Sequence, residues 1–358
     1  VNIYVDKTHH NKENTEMVLT LNDTKRTAIA VKLADIRAVQ NLIIENEKEF
    51  LKACDDAEMR DRFQHMIADD EKNVGIVETV IVQYGIQEEP SEKTQELVQK
   101  IQELMKGSEL SFYEKVVQHE LLKHAQFMSG VIVHKAAQVV GADVEVAITP
   151  LNTFNFESRA HQEQLKGVLE VLGTRELTGQ DPDQSVWGRV QDAIAAFSGI
   201  AGSVVTQNSS SSDLNVQEII FADHRKLDTL IMEIEKSTDA QKIQEYFGQM
   251  YKDLSVHSEA EEQVVYPAVR SFYGTENTQE LYQEQAELKV ILEKMKAMDV
   301  SSPAFKDCLK QVKEMVGDHT RQEESTMFAA IGKNCSKEEQ EQLGSRFKEA
   351  KKQLQTKM

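Results

Sequence analysis

Sixteen residues near the start of this chain recur 188 positions later. Segments 33–48 and 221–236 agree at eight of 16 positions. Segments 94–104 and 278–288 agree at seven of 11, at an offset of 184. The two matches keep their order and nearly their spacing, which is the signature of an internal duplication. Whatever unit the chain folds into must therefore be able to form twice. Apolar residues in both copies recur at helical spacing, so the repeated unit is helical.

The supply of turn residues agrees. The chain has 16 Gly and 5 Pro in 358 residues, about half the usual share. A fold of many short hairpins needs more. In the second copy, helical blocks are expected at about 215–236, 240–272, 276–298 and 303–330, with a charged fifth block at about 336–356. Breaks fall at Ser237-Thr238-Asp239, at Gly274 and at Ser301-Ser302-Pro303, where capping residues precede new blocks. Short connections between four helices imply an up-down bundle. The expected fold class is thus all-α, with two tandem four-helix bundles. The first spans 1–141 and the second 214–358. Between them lie a helical or irregular segment, 142–205, and a Ser-rich linker, 206–213, with four consecutive serines. A helix rich in small residues is expected at about 185–205, suited to docking between the bundles.

Charge and cysteine content narrow the function. Lys+Arg number 41 against Asp+Glu 60, a formal net charge of −19. No basic run exceeds two residues, as at Lys351-Lys352. A chain this acidic is expected to have no nucleic-acid partner and no anionic-membrane partner. Cys54, Cys308 and Cys335 form no CxxC and no disulfide framework. No apolar stretch approaches membrane-spanning length, and Val1-Asn2-Ile3-Tyr4 does not read as a signal peptide. A cytoplasmic location and a monomeric state are expected.

The informative residues are histidines inside helices. His257-Ser-Glu-Ala-Glu261 is an HxxxE followed by Glu262, and His319-Thr-Arg-Gln-Glu323 is another followed by Glu324. Residues i and i+4 share a helix face, so each pair brings an imidazole and a carboxylate to one point. His224 lies upstream, in the first helix of the same copy. Three imidazoles and two carboxylates from three helices suit iron, and also manganese or zinc. No thiolate is placed to join them. Tyr266, before Pro267, lies near the expected mouth, where it packs or hydrogen-bonds a metal-bound oxygen.

The order His…HxxxE-E…HxxxE-E resembles the hemerythrin (HHE cation-binding) family, over about 217–331. That resemblance implies two tandem hemerythrin-like bundles and a non-haem di-iron centre. It implies His224, His257, Glu261, His319 and Glu323 as ligands, with the two glutamates bridging. The family pattern expects a third-helix histidine where this chain has Gln285, so one metal is expected to be weakly held. Glu284 and Glu287 are nearby carboxylates that stand in as candidates. In the first copy the corresponding positions are Ile36, Ile67 and Ile101, so that bundle is expected to be a degenerate, metal-free relative. The pairs Glu120/His124 and Glu157/His161 are expected on solvated helix faces.

The expected function is therefore binding of O2 or NO, or buffering or sensing of iron or redox state. Two alternatives stand beside it. One is a di-iron enzyme that reduces peroxide or activates O2, which is the lesser expectation. The other is an interaction protein with a metal-responsive domain and an unidentified protein partner.

Overall fold

The structure is a computed structural model that describes residues 24–182, 186–187, 189–190, 193–194 and 214–357. The predicted linker at 206–213 and most of the predicted helix at 185–205 lie outside these residues. Among the described residues the protein is all-helical. No helix there is long and apolar enough to cross a membrane.

The N-terminal half comprises α1 (Thr24–Ala53), α2 (Ala57–Tyr84), α3 (Glu92–Lys106), α4 (Phe112–Val140), α5 (Ala142–Ala147) and α6 (Leu151–Thr178). Local chemistry sets their ends. Asp56 caps α2 by accepting from the amides of Glu58 and Met59, and Gly85, at φ +83°, ends it. Ser111 and Glu114 form a capping box that starts α4. Helices α1, α2, α4 and α6 pack around one another as a four-helix group. The repeat pattern had put α3 in the third position of this group. Instead α3 lies against α1 with only Met105 buried, and α4, which buries Val116, Leu122, Val133 and Ala137, takes the place. Helix α6, from the predicted connecting segment, is the fourth member. Val186 and Trp187 also pack here, against the core around Phe50 and Phe63.

The C-terminal half contains α7 (Val216–Lys236), α8 (Ala240–Ala260), a π-turn (Glu261–Val265), α9 (Tyr266–Tyr273), α10 (Thr275–Lys296), α11 (Pro303–Gln322), a second π-turn (Glu323–Met327), α12 (Phe328–Asn334) and α13 (Lys337–Gln355). The expected breaks hold: Asp239 and Ser302 cap α8 and α11, and Gly274, at φ +103°, separates α9 from α10. The charged α13 lies outside the four-helix group, yet it buries Leu343 and Phe347 against α7 and the first π-turn. Close approach explains Gly344. A Cβ there would meet the Leu214 carbonyl oxygen at 2.7 Å.

Both halves have a polar layer between two apolar layers. In the C-terminal half, one apolar cluster is built on Leu227, Leu230, Phe247, Leu292 and Phe305, and the other on Ile219, Ile220, Val265, Leu281 and Phe347. His224 sits one turn from each cluster along α7. The apolar layers supply the stability, at roughly 1.5–3 kcal/mol per fully buried large side chain. The polar layer between them needs a separate explanation, because buried polar groups without partners are costly.

Candidate metal centre

The C-terminal polar layer gathers the predicted residues. His224 comes from α7, His257 from α8, Glu261 and Glu323 from the starts of the two π-turns, and His319 from α11. A donor atom each from His224, His257, Glu261 and Glu323 all lie within 4.8 Å of one another. His224 Nε2 is 3.2 Å from Glu323 Oε2, and His257 Nε2 is 3.2 Å from Glu261 Oε2. His319 stands beside this group, with Nε2 3.5 Å from Glu323 Oε1. Both glutamates are fully buried, and His319 is the most exposed of the five at 7%.

Four atoms in this cluster make no well-formed hydrogen bond, even where an imidazole and a carboxylate approach to 3.2 Å: His224 Nε2, His257 Nε2, Glu261 Oε1 and Glu323 Oε2. They belong to the four residues whose donor atoms cluster. Buried polar atoms are almost always paired, so converging orphans of this chemistry fit a metal ion. The other ring nitrogen of each histidine is held by a carboxylate. His224 Nδ1 meets Glu324 at 2.8 Å, His257 Nδ1 meets Asp223 at 3.0 Å, and His319 Nδ1 meets Glu284 at 2.6 Å. Such partners fix each ring so that Nε2 faces inward, as metal-ligating histidines require.

The two π-turns each begin at a ligand-position glutamate. A π-turn inserts an extra residue into the helix and re-aims the side chains around it, and such turns are frequent at functional sites. Sequence periodicity does not reveal them.

Tyr266 and Gln285 close the layer. Tyr266 is fully buried, and its hydroxyl donates to Glu323 Oε1 at 2.8 Å. It packs and hydrogen-bonds at once. Gln285 Nε2 donates to Glu261 Oε2 at 2.8 Å and to the Tyr266 hydroxyl at 2.6 Å. In this geometry its amide nitrogen, not its carbonyl oxygen, faces the carboxylate. Glu284 stands behind His319, and Glu287 is exposed and bonded to Gln283. Neither points its carboxylate into the cluster as a replacement ligand.

Sequence reasoning missed Asp223 and Lys351. Lys351 of α13 holds both oxygens of Asp223, at 2.5 and 2.6 Å, with all three of Lys351, Asp223 and His257 buried. Residues 223 and 351 are far apart in sequence, and the only signal was the adjacency of Asp223 to His224.

Proton occupancy follows from these contacts. Burial opposes charge on the imidazoles, but the surrounding carboxylates outweigh it. They raise His224 to about 9 and His257 to about 10, and they raise His319 as well. Burial likewise opposes charge on Glu323, but His319 and His224 hold it down at about 2. As long as no metal is bound, His224 and His257 keep their protons through neutral pH, and a metal must displace them. Metal affinity is therefore expected to rise between pH 6 and pH 9, by about tenfold per pH unit for each proton displaced. Calorimetry in two buffers of different ionisation enthalpy would count those protons; pH-independent affinity would contradict this ionisation scheme.

The comparisons with known proteins agree with the site. Residues 215–331 match the hemerythrin HHE cation binding domain. A hemerythrin-like protein of Schizosaccharomyces pombe is 28% identical over 144 residues, covering 39% of this chain and 71% of that one. A protein of Nostoc sp. named DNA nickase is 60% identical over 342 residues, covering 96% of this chain and 97% of that one. Residues 215–331 thus form a hemerythrin HHE cation binding domain, and over its length the chain belongs to the same family as the Nostoc protein. No solved structure matches this chain. The domain match supports metal binding by the C-terminal bundle. The Nostoc relative also overturns the expectation of no nucleic-acid partner. That expectation rested on net charge, which sums the whole surface, whereas phosphate contacts depend on local charge.

Proposed function

We propose that this hemerythrin-like chain is a metal-dependent DNA nickase, and that its C-terminal bundle holds the metal as a non-haem iron centre. Near-full-length identity of 60% to a protein named DNA nickase carries the activity. The orphaned inward-facing donors carry the metal. Imidazole and carboxylate donors without a thiolate suit iron, and two carboxylates among three imidazoles suit a bridged pair of ions. Once bound, the ion supplies Lewis acidity and, as iron, redox chemistry. The chain's own residues do the rest. Asp223, Glu284 and Glu324 orient the three imidazoles. The Tyr266 hydroxyl keeps a proton between the two carboxylates, with burial and Glu261 holding its own ionisation well above the usual phenol range. Gln285 fixes Glu261.

The donors are 0–7% exposed, so the centre admits small molecules far more readily than a duplex phosphate. This favours a second reading beside the first: the centre takes O2, NO or peroxide, and the chain buffers or senses iron or redox state. Conversion of supercoiled plasmid to open circles separates the readings. Iron-loaded protein is expected to nick, and chelator-stripped protein is not. Resealing by DNA ligase would indicate hydrolysis, and resistance to ligase would indicate oxidative breaks that need O2 or peroxide. Equal nicking by stripped and loaded protein would overturn the proposal.

A further inference from the structure

The N-terminal half has its own polar layer, which the sequence had left as an apolar, isoleucine-filled interior. Ile36 does lie in an apolar cluster with Leu33, Val77 and Phe154. Further along the bundle, however, Glu47, Asp70, His119, Lys123 and His161 are all at most 2% exposed. His161 is thus part of the interior rather than of a solvated face.

The layer is organised around one atom. Lys123 Nζ, from α4, lies 2.7 Å from Glu47 Oε1 of α1, 2.6 Å from Asp70 Oδ2 of α2 and 2.8 Å from His161 Nδ1 of α6. Two carboxylate oxygens and one imidazole nitrogen from three different helices converge on a single positive nitrogen. His119 Nε2, also from α4, is 3.2 Å from Glu47 Oε1 and adds a second imidazole. Glu47 Oε2 and His119 Nδ1 are buried without hydrogen-bond partners. Gln40 donates to Asp70 Oδ1 at 2.8 Å, and Gln126 backs Gln40 at 3.1 Å, so the carboxylate is fixed from behind. Burial opposes charge on Lys123, yet Asp70 and Glu47 keep it protonated.

This arrangement has the composition of a metal site, with two carboxylates and one imidazole within 2.8 Å of a central cation and a second imidazole, His119, against one of those carboxylates. The separations of 2.6–2.8 Å are those of an ammonium. Divalent transition metals need about 2.0–2.2 Å to the same atoms, a contraction of roughly half an ångström that side-chain torsions can supply. We propose that the N-terminal polar layer is a cation site whose resident cation is the Lys123 ammonium, and that a divalent transition-metal ion takes its place when that ammonium is removed. An ion and the ammonium compete for one point, so the unaltered N-terminal half takes no metal, and any metal on the whole chain belongs to the C-terminal centre.

The test uses the full-length chain with Lys123→Ala, Lys123→Met and the double variant Lys123→Ala/Glu47→Gln. Each is titrated with Co2+ and Zn2+ beside the unaltered protein. Lys123→Ala is expected to bind one more cobalt ion per chain than the unaltered protein, with new visible absorption bands and a Tm that rises with cobalt. The added Glu47→Gln is expected to weaken that extra ion at least tenfold. Lys123→Met fills the space without charge, so it is expected to lose stability and not to recover it with metal. If Lys123→Ala folds only with added metal, the proposal stands. If it binds no extra ion, or fails to refold with either metal, the proposal is overturned. The comparison is a difference between variants, so it holds whether or not the C-terminal centre loads.

Discussion

Glu323→Ala is expected to strip the C-terminal centre of metal and to destabilise the metal-free bundle. Glu323 is fully buried and reaches three partners. One oxygen faces His224 Nε2, and the other accepts from Tyr266 and lies near His319. No neighbour replaces it, because Glu324 is already engaged behind His224. Loss of a ligand placed between imidazoles should lower metal affinity by at least the roughly 10–100-fold typical of an outer partner. Without metal, removing one member of a buried charged set costs about 3–5 kcal/mol. The sign with pH is definite. Glu323 is held below its ordinary 4.5, so its contribution is present above that value and lost as pH falls towards about 2. His224 is raised from 6.5 to about 9, so its contribution is full below 6.5 and lost as pH rises through 9. The wild-type advantage over Glu323→Ala should therefore be largest between about pH 4.5 and 6.5. Metal content by elemental analysis and urea unfolding across that range would measure both effects. Unchanged metal content would show that Glu323 is not a ligand.

Lys351→Met is expected to have the next largest effect, although Lys351 touches no candidate ligand. It leaves Asp223 buried without its cation, again at a cost of about 3–5 kcal/mol. Burial opposes charge on Asp223, but Lys351 and His257 together hold its carboxyl far below the usual range. Without Lys351, Asp223 is expected to take up a proton more readily and to hold the His257 ring less firmly. A loss of metal affinity of roughly 10–100-fold follows from weakening such an outer partner. Helix α13 also ties the centre to the N-terminal half, since Gln355 donates to the Val82 carbonyl at 2.9 Å. Asp223→Asn/Lys351→Met should recover part of the stability, because neither partner is then left charged, but not the metal affinity. Thermal unfolding and metal titration of both variants would decide. A Lys351→Met protein as stable as wild type would mean that the pair contributes nothing.

The sequence revealed what depends on one helix at a time. HxxxE fixes an imidazole and a carboxylate on one face, and the capping residues at Asp239 and Ser302 fix where α8 and α11 begin. Those local rules were enough to bring His224, His257, Glu261, His319 and Glu323 into one bundle interior. What stayed hidden depends on tertiary placement. Lys351 lies on a helix that composition marks as surface, yet α13 turns that lysine inward onto Asp223. Glu157/His161 looks like an ordinary exposed pair, but α6 joins the N-terminal bundle and buries His161 against Lys123. Segment 94–104 matches the third helix of the other copy by identity, while α4 offers more apolar surface and takes the position. The π-turns at Glu261 and Glu323 change backbone hydrogen bonding, which no side-chain pattern records.

The most direct test of the metal centre is anomalous X-ray scattering at the iron edge from crystals of the iron-reconstituted full-length chain. A peak is expected among His224 Nε2, His257 Nε2, Glu261 and Glu323, and it should vanish in Glu323→Ala crystals treated alike. No peak at that point, or iron density only in the N-terminal polar layer around Lys123, would contradict the assignment of the metal to the C-terminal bundle.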